Sequence, residues 1–344
     1  MRRALWMLVV VLGLLGGALA AAWHEGWIAA PWSARYAELE AQLRDRGGVA
    51  VVGGVPWGMR GGADARWVRA ETLPPLRAAL AGTDPAALTA ALHATRFDAL
   101  LVRGDGALSS VGPSLSATLA RYEALPGVSA TYLDPIAAVY EPAERPEVSA
   151  EDARRLVSVA RLILSGAAAP PERLFPESLR RARPVELALI VRDDREAILW
   201  RSSRGGSLGR ALLDVSFAIL DRWTTRQQER YGRLRDALRT RTLTLALFYD
   251  KGVLGARDGA FLRRAANPAR WSVGFERVAG WEYSLPPAPG ETGPDPVEAL
   301  ARLSRERGVP APGYLRPELT LYRFRALQLI EQSPNGPVLA HDPP

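Results

Sequence analysis

The clearest pattern of apolar and polar positions lies at residues 185–220, which read as strand, turn, strand, glycine loop and helix. Val185, Leu187, Leu189 and Val191 alternate with Glu186, Ala188 and Ile190, the period of a strand with one strongly apolar face. Asp193 and Asp194 mark the reversal, since short acidic side chains bond to nearby backbone and favour turns. Residues 197–200 return as a second strand. Gly205 and Gly206 then loosen the backbone, and Ser207 is placed to cap a helix. Leu208, Leu212, Val215 and Ile219 form one buried stripe, with Arg210, Asp214 and Asp221 turned to water.

The same reading extends along the chain. Residues 49–52 are a buried-strand pattern followed by Gly53 and Gly54, with the spacing of neither a P-loop nor a dinucleotide fingerprint. Asp84 and Pro85 start a helix carrying Leu88, Ala91 and Leu92. Strands are expected at 97–102, 130–133 and 136–140, with a helix at 114–124. This alternation predicts a small α/β domain over 45–146, closed by the proline-bearing stretch 142–146. Ser149, with Asp152 three residues on, then caps a helix bearing Leu156, Val157, Ala160, Ile163 and Leu164 and stopped by Gly166. The second domain, 147–335, adds an arginine-rich helix at 227–238 and a strand with Leu243, Leu245 and Leu247 on one face. A mixed strand and loop follows at 271–285, then a proline–glycine loop at 286–296. A helix capped by Asp295 and ended by Gly308 precedes a last strand at 319–330. Residues 336–344, including His341, read as a frayed tail.

The amino terminus changes the picture. Arg2 and Arg3 precede an uncharged apolar run at 4–23, close to the roughly 20 residues a membrane helix needs. Arginines there favour the cytoplasmic side, and Trp23, Trp27 and Trp32 suit an interface. Residues 24–44 are expected to form a juxtamembrane helix. The fold class expected is therefore an N-terminal membrane anchor (1–23), a small α/β domain and an α+β domain. The location expected is the inner membrane, single pass, with the remainder periplasmic. Ala18-Leu19-Ala20 also fits a cleavage site, the alternative being release into the periplasm.

Composition narrows the chemistry. The 344 residues contain no cysteine, which removes disulfides, thiolate zinc sites and cysteine nucleophiles. The net charge of +7 is almost all arginine, and Lys251 is the only lysine. This bias fits a GC-rich coding sequence, and it still favours anionic partners. No nucleic-acid motif accompanies it, so nucleic acid is not an expected partner. Three scattered histidines, His24, His93 and His341, support neither a zinc site nor a serine triad with Ser202 or Ser203. No metal and no cofactor is expected.

Two resemblances follow from these residues. The order FDALLVR…LARYEALPGVSATYLDPIAAVYEP over 45–142 is similar to the soluble tails of membrane glycosyltransferases, which implies a fold only. Residues 149–331 resemble the AMMECR1 family through LILSG, the strand pair and glycine loop, LTLALF, SLPPAPGE and the closing LYRFRALQLIE with Glu331. That resemblance implies a compact α+β domain and no established activity. The family's cysteine-bearing motif is absent. The corresponding stretch is Leu199, Trp200, Arg201, Ser202, Ser203, Arg204, Gly205 and Gly206.

The best local candidate is an anion site at Arg201, Arg204, Gly205, Gly206, Ser207 and Arg210. Arginines there surround glycines before a helix start. Asp193 with Asp194, and Asp250, Asp258, Glu276, Glu282 and Glu291, are acids with ordinary turn and loop explanations. Trp200, Trp223, Trp271 and Trp281 are expected mainly in the core, and Arg222, Arg226, Arg230, Arg233 and Arg235 on a solvated helix face. The function expected is binding or assembly without catalysis, tethered to the envelope, with an envelope protein as partner. The alternative is a hydrolase or transferase acting on an anionic envelope substrate through the arginine-rich loop.

Overall fold

A computed structural model describes residues 39, 41, 43, 46, 48–52, 66–81, 85–103, 128–134, 137–142, 146–168, 175–181, 185–194, 196–223, 225–277, 280–306, 308–309, 313–316 and 319–342. The chain divides into two compact units. Unit 1 takes residues up to 144, 250–285 and 293–323; unit 2 takes 145–249, 286–292 and 324–344.

Unit 1 begins with β1 (Gly48–Val52), β2 (Arg66–Arg69), α1 (Pro74–Ala81), α2 (Pro85–Thr95), β3 (Ala99–Arg103), β4 (Val128–Asp134) and β5 (Ala137–Pro142). Strand β1 pairs in parallel with β2 and β3. Strand β3 pairs antiparallel with β5, and β5 with β4. Leu76, Leu88, Leu92, Phe97, Leu100 and Tyr140 are buried together, so the apolar stripes of α1 and α2 cover the sheet.

Unit 2 contributes α3 (Ala150–Leu164), α4 (Glu177–Arg180), β6 (Val185–Asp193), β7 (Glu196–Gly205), α5 (Leu208–Arg222), α6 (Thr225–Tyr231) and α7 (Leu234–Ala237). Strand β8 (Thr242–Leu254) starts in this unit and ends in unit 1. Both helix starts are capped as their sequences require. Ser149 Oγ accepts the Asp152 amide at 3.0 Å, and Ser207 Oγ accepts that of Arg210 at 3.1 Å. Gly166 closes α3 at φ +85°, a conformation suited to glycine. The arginine-rich stretch expected as one helix is two short ones, α6 and α7, broken at Gly232 with φ +77°. Strands β6 and β7 form the expected hairpin, although β7 runs on through Gly205. Ala188 and Ile190 are as deeply buried as Leu187 and Leu189, so β6 hides both faces rather than one.

Unit 1 resumes with α8 (Gly259–Ala265), β9 (Ser272–Arg277), β10 (Gly280–Tyr283) and α9 (Pro296–Glu306). Asp295 caps α9, its Oδ1 accepting the amides of Val297 at 2.9 Å and Glu298 at 3.2 Å. Strand β11 (Thr320–Glu331) starts in unit 1 and ends in unit 2, where the expected tail instead pairs with it as β12 (Val338–His341). The strand order in unit 2 is β7-β6-β8-β11-β12. On one face of this sheet, α3 and α5 bury Leu156, Val157, Leu212 and Val215 against Leu187, Leu245, Leu327 and Leu329.

The architecture is a mixed α/β, sheet-rich fold, and this corrects the expected fold class. No helix among the described residues is long and apolar enough to cross a membrane. The longest, α3 and α5, have 15 residues each. At 1.5 Å per residue that is about 22 Å, short of a hydrocarbon core of about 30 Å. The expected membrane segment and single-pass inner-membrane location are corrected with it. Residues 4–23, on which those expectations rested, lie outside the described residues, as do all of the juxtamembrane stretch 24–44 but residues 39, 41 and 43, and the helix expected at 114–124.

Within unit 1, Gly252 of β8 lies against the backbone of β4. A Cβ there would stand 2.1 Å from the Ala130 carbonyl oxygen. Gly252→Ala is expected to destabilise by about 1–3 kcal/mol, as overpacked sites do. Urea unfolding checks this through a lower midpoint at unchanged slope.

Candidate functional site

The residues expected to hold an anion are already engaged within the chain. Arg201, Arg204 and Gly205 end β7, Gly206 and Ser207 form the connection, and Arg210 lies in the first turn of α5. Arg201 donates to the Trp200 carbonyl at 2.7 Å. Arg204 pairs with Glu186 at 3.4 Å, and Arg210 grips Asp214 through two contacts of 3.0 Å. Gly205 answers a packing demand, because a Cβ there would stand 2.6 Å from the Ala211 nitrogen. Open space surrounds only the position of Gly206.

The other candidates are dispersed. Ser202 and Ser203 are half-buried on β7, while His93 is on α2 and His341 on β12. His24 lies outside the described residues. Asp193 pairs with Arg241 at 3.1 Å, and Asp194 takes the reversal at φ +50°. Asp258 caps α8, and Glu276 accepts the Tyr322 hydroxyl at 2.7 Å. Asp250, Asp258, Glu276 and Glu282 belong to unit 1, whereas Glu291 belongs to unit 2. No group of three or more histidines and acids among the described residues could hold a metal ion. Trp223 and Trp271 are buried; Trp200 and Trp281 are half-buried. Arg230 stacks over Tyr231, while Arg222 and Arg233 are exposed.

A different site emerges in unit 2, a cleft of about 540 Å³. One wall is a single face of α3, with Arg154, Ser158, Arg161, Leu162 and Ser165 at helical spacing. Arg235, Arg239, Glu331 and Asn335 also line it. At its base, Arg161 and Glu331 are only 9% and 3% exposed. Arg161 Nε donates to Glu331 Oε1 at 3.0 Å, and Nη2 donates to Oε2. The rest of the guanidinium donates to the carbonyls of Leu238 and, at 2.8 Å, Arg241. Glu331 also accepts the Leu243 amide at 2.9 Å and the Asn335 amide at 2.8 Å. Four donors therefore occupy this carboxylate, leaving it no capacity as a base toward a ligand.

Chemically, the cleft offers positive charge. Arg154 spends its Nε on the Ala150 carbonyl. Arg235 and Arg239 have no side-chain hydrogen bond or ion pair among the described residues, and both are exposed. Sequence reasoning placed Arg235 on a solvated face and passed over Arg154, Arg161 and Arg239. One signal was available: Arg161 interrupts the apolar stripe of Val157, Ala160 and Leu164, where an arginine requires a buried partner.

Glu331→Gln leaves a buried guanidinium without its counter-charge, and a loss of about 3–5 kcal/mol is expected. Denaturant unfolding measures it, with Glu151→Gln, an exposed pair with Arg155, as a control that changes little.

No family model matches the chain, and no curated protein matches it. Among solved structures, an uncharacterized protein from Pyrococcus horikoshii is similar at 17% identity and a TM-score of 0.46, covering 57% of this chain and 98% of its own.

Proposed function

We propose that the chain is a binding protein whose unit 2 takes up a small anion, phosphate- or carboxylate-bearing, in the arginine-walled cleft. One observation carries this reading: Arg235 and Arg239 line the cleft, together with Arg154, without a side-chain partner among the described residues. Unpaired guanidinium groups on a concave wall grip oxyanions through paired donors. Leu162, 45% exposed on the same wall, adds apolar surface for the body of the ligand. The reading does not invoke catalysis, because the cleft's one acidic lining residue, Glu331, is saturated. Chemistry at the glycine loop has less support, since Glu186 and Asp214 hold Arg204 and Arg210. The element order over residues 149–331 supports reading this part of the chain as a diverged AMMECR1-like scaffold.

Titration calorimetry in low salt, with inorganic phosphate and citrate as probes, tests the proposal. The expected result is that R235Q/R239Q weakens binding at least about tenfold, near 1.4 kcal/mol. R204Q/R210Q is expected to leave binding unchanged. Equal affinity in wild type and R235Q/R239Q, or no binding by wild type, contradicts the assignment.

A further inference from the structure

The arginine-lined cleft of unit 2 has an apolar part that its charges do not explain. Leu162 is 45% exposed, one of three exposed large apolar side chains among the described residues. It lies in the cleft, where Val338 of β12 and the buried Val157 and Leu238 also form the surface. Arg154, Ser158 and Leu162 follow one another at four-residue spacing on α3. Residues so spaced share a helix face, and eight residues of helix span about 12 Å. The α3 wall therefore runs from a cation through a hydroxyl to a hydrocarbon side chain.

The charges of the cleft leave an excess of positive sign. Glu331 is the one acid that lines it, and its carboxylate is committed to Arg161 and to the amides of Leu243 and Asn335. Arg161 in turn donates to Glu331 and to the carbonyls of Leu238 and Arg241. The two charges cancel, and neither is open to a ligand. Arg154, Arg235 and Arg239 remain, all exposed and without an ion pair among the described residues. Arg154 gives its Nε to the Ala150 carbonyl at 3.2 Å, which steadies the side chain without neutralising it. Three uncompensated cations suit a doubly charged head better than a single carboxylate. A phosphate monoester carries about −1.5 to −2 charges at pH 7 and three strong acceptor oxygens. Its fourth oxygen leads to carbon, so its charged end and its apolar end are separate, as they are along α3.

We propose that the anion taken up in this cleft is an alkyl phosphate monoester, its head held by Arg154, Arg235 and Arg239 and its chain laid on Leu162 and Val338. This rests on the anion-binding reading above and adds to it the class of the ligand. The cleft's volume of about 540 Å³ falls in the range of small-molecule sites, about 300 to 1,000 Å³. The same head and tail occur in membrane lipids, but a cleft of this size fits a free ester.

Titration calorimetry of the full-length chain in low salt, with inorganic phosphate and then ethyl, butyl and hexyl phosphate, tests this. Affinity is expected to rise about two- to fourfold with each added methylene, fourfold corresponding to complete burial. Leu162→Gln is expected to flatten this rise and to leave the affinity for inorganic phosphate unchanged. Glutamine forms helix about as well as leucine, so α3 is kept. R235Q/R239Q is expected to weaken every ester at least tenfold. Vesicles of phosphatidylcholine and phosphatidic acid are expected not to retain the protein. Phosphate binding with no dependence on chain length overturns the amphiphile and leaves the anion site standing, whereas failure of phosphate and all esters to bind overturns both. An undiminished rise in L162Q, or retention on vesicles without binding of the soluble esters, also overturns the inference.

Discussion

The buried ion pair between Arg161 and Glu331 is the constraint around which unit 2 is organised. Neither charge reaches water freely, so each must be satisfied by the protein or carry a heavy desolvation cost. The partners used for this come from separate parts of the unit. Arg161 brings α3; Leu238 and Arg241 bring the turn after α7; Leu243 brings the start of β8; Asn335 brings the turn between β11 and β12. One carboxylate and one guanidinium thus fix four chain segments at one end of the sheet. Such a pair often adds no stability over a well-packed apolar replacement, but it constrains geometry closely, since any shift leaves a donor or acceptor unmet.

Two cavities of unit 2 lie beside this pair. Glu331 borders both of them. The saturated pair lines a cleft in which Arg235 and Arg239 have no side-chain partner among the described residues. In the other cavity, Arg192 is held by Thr244 and set among acids and hydroxyls. The same residue type therefore has different roles within unit 2. Arg161 holds structure, whereas Arg235 and Arg239 line the cleft proposed for an anion. The exposed ion pairs of Arg204 and Arg210 contribute little by comparison, as solvent-screened pairs do.

Local elements were legible in the sequence where local chemistry decides them. Ser149, Ser207 and Asp295 cap the helices their spacing announces, and the β6–β7 hairpin turns at Asp193 and Asp194. Long-range pairing was not legible. The alternation of Leu243, Leu245 and Leu247 announces a strand, but nothing in it shows that β8 continues past Tyr249 into unit 1. Strand β12 was missed because Val338–His341 is too short and mixed to show a period, and pairing with β11 creates it. The site was missed for a related reason. Helical spacing says which face an arginine occupies, whereas its partner 170 residues away, as for Arg161 and Glu331, is a property of the fold. The glycines of the 201–210 loop looked like a ligand cradle, yet Gly205 is required by the close approach of Ala211.

A double-mutant cycle through Arg161→Met, Glu331→Leu and the combined variant measures the coupling most directly. The account predicts that each single change is strongly destabilising and that the pair together costs less than their sum, by about 0.5–3 kcal/mol. Additive losses would contradict the claim that this pair acts as one unit holding the end of the sheet together.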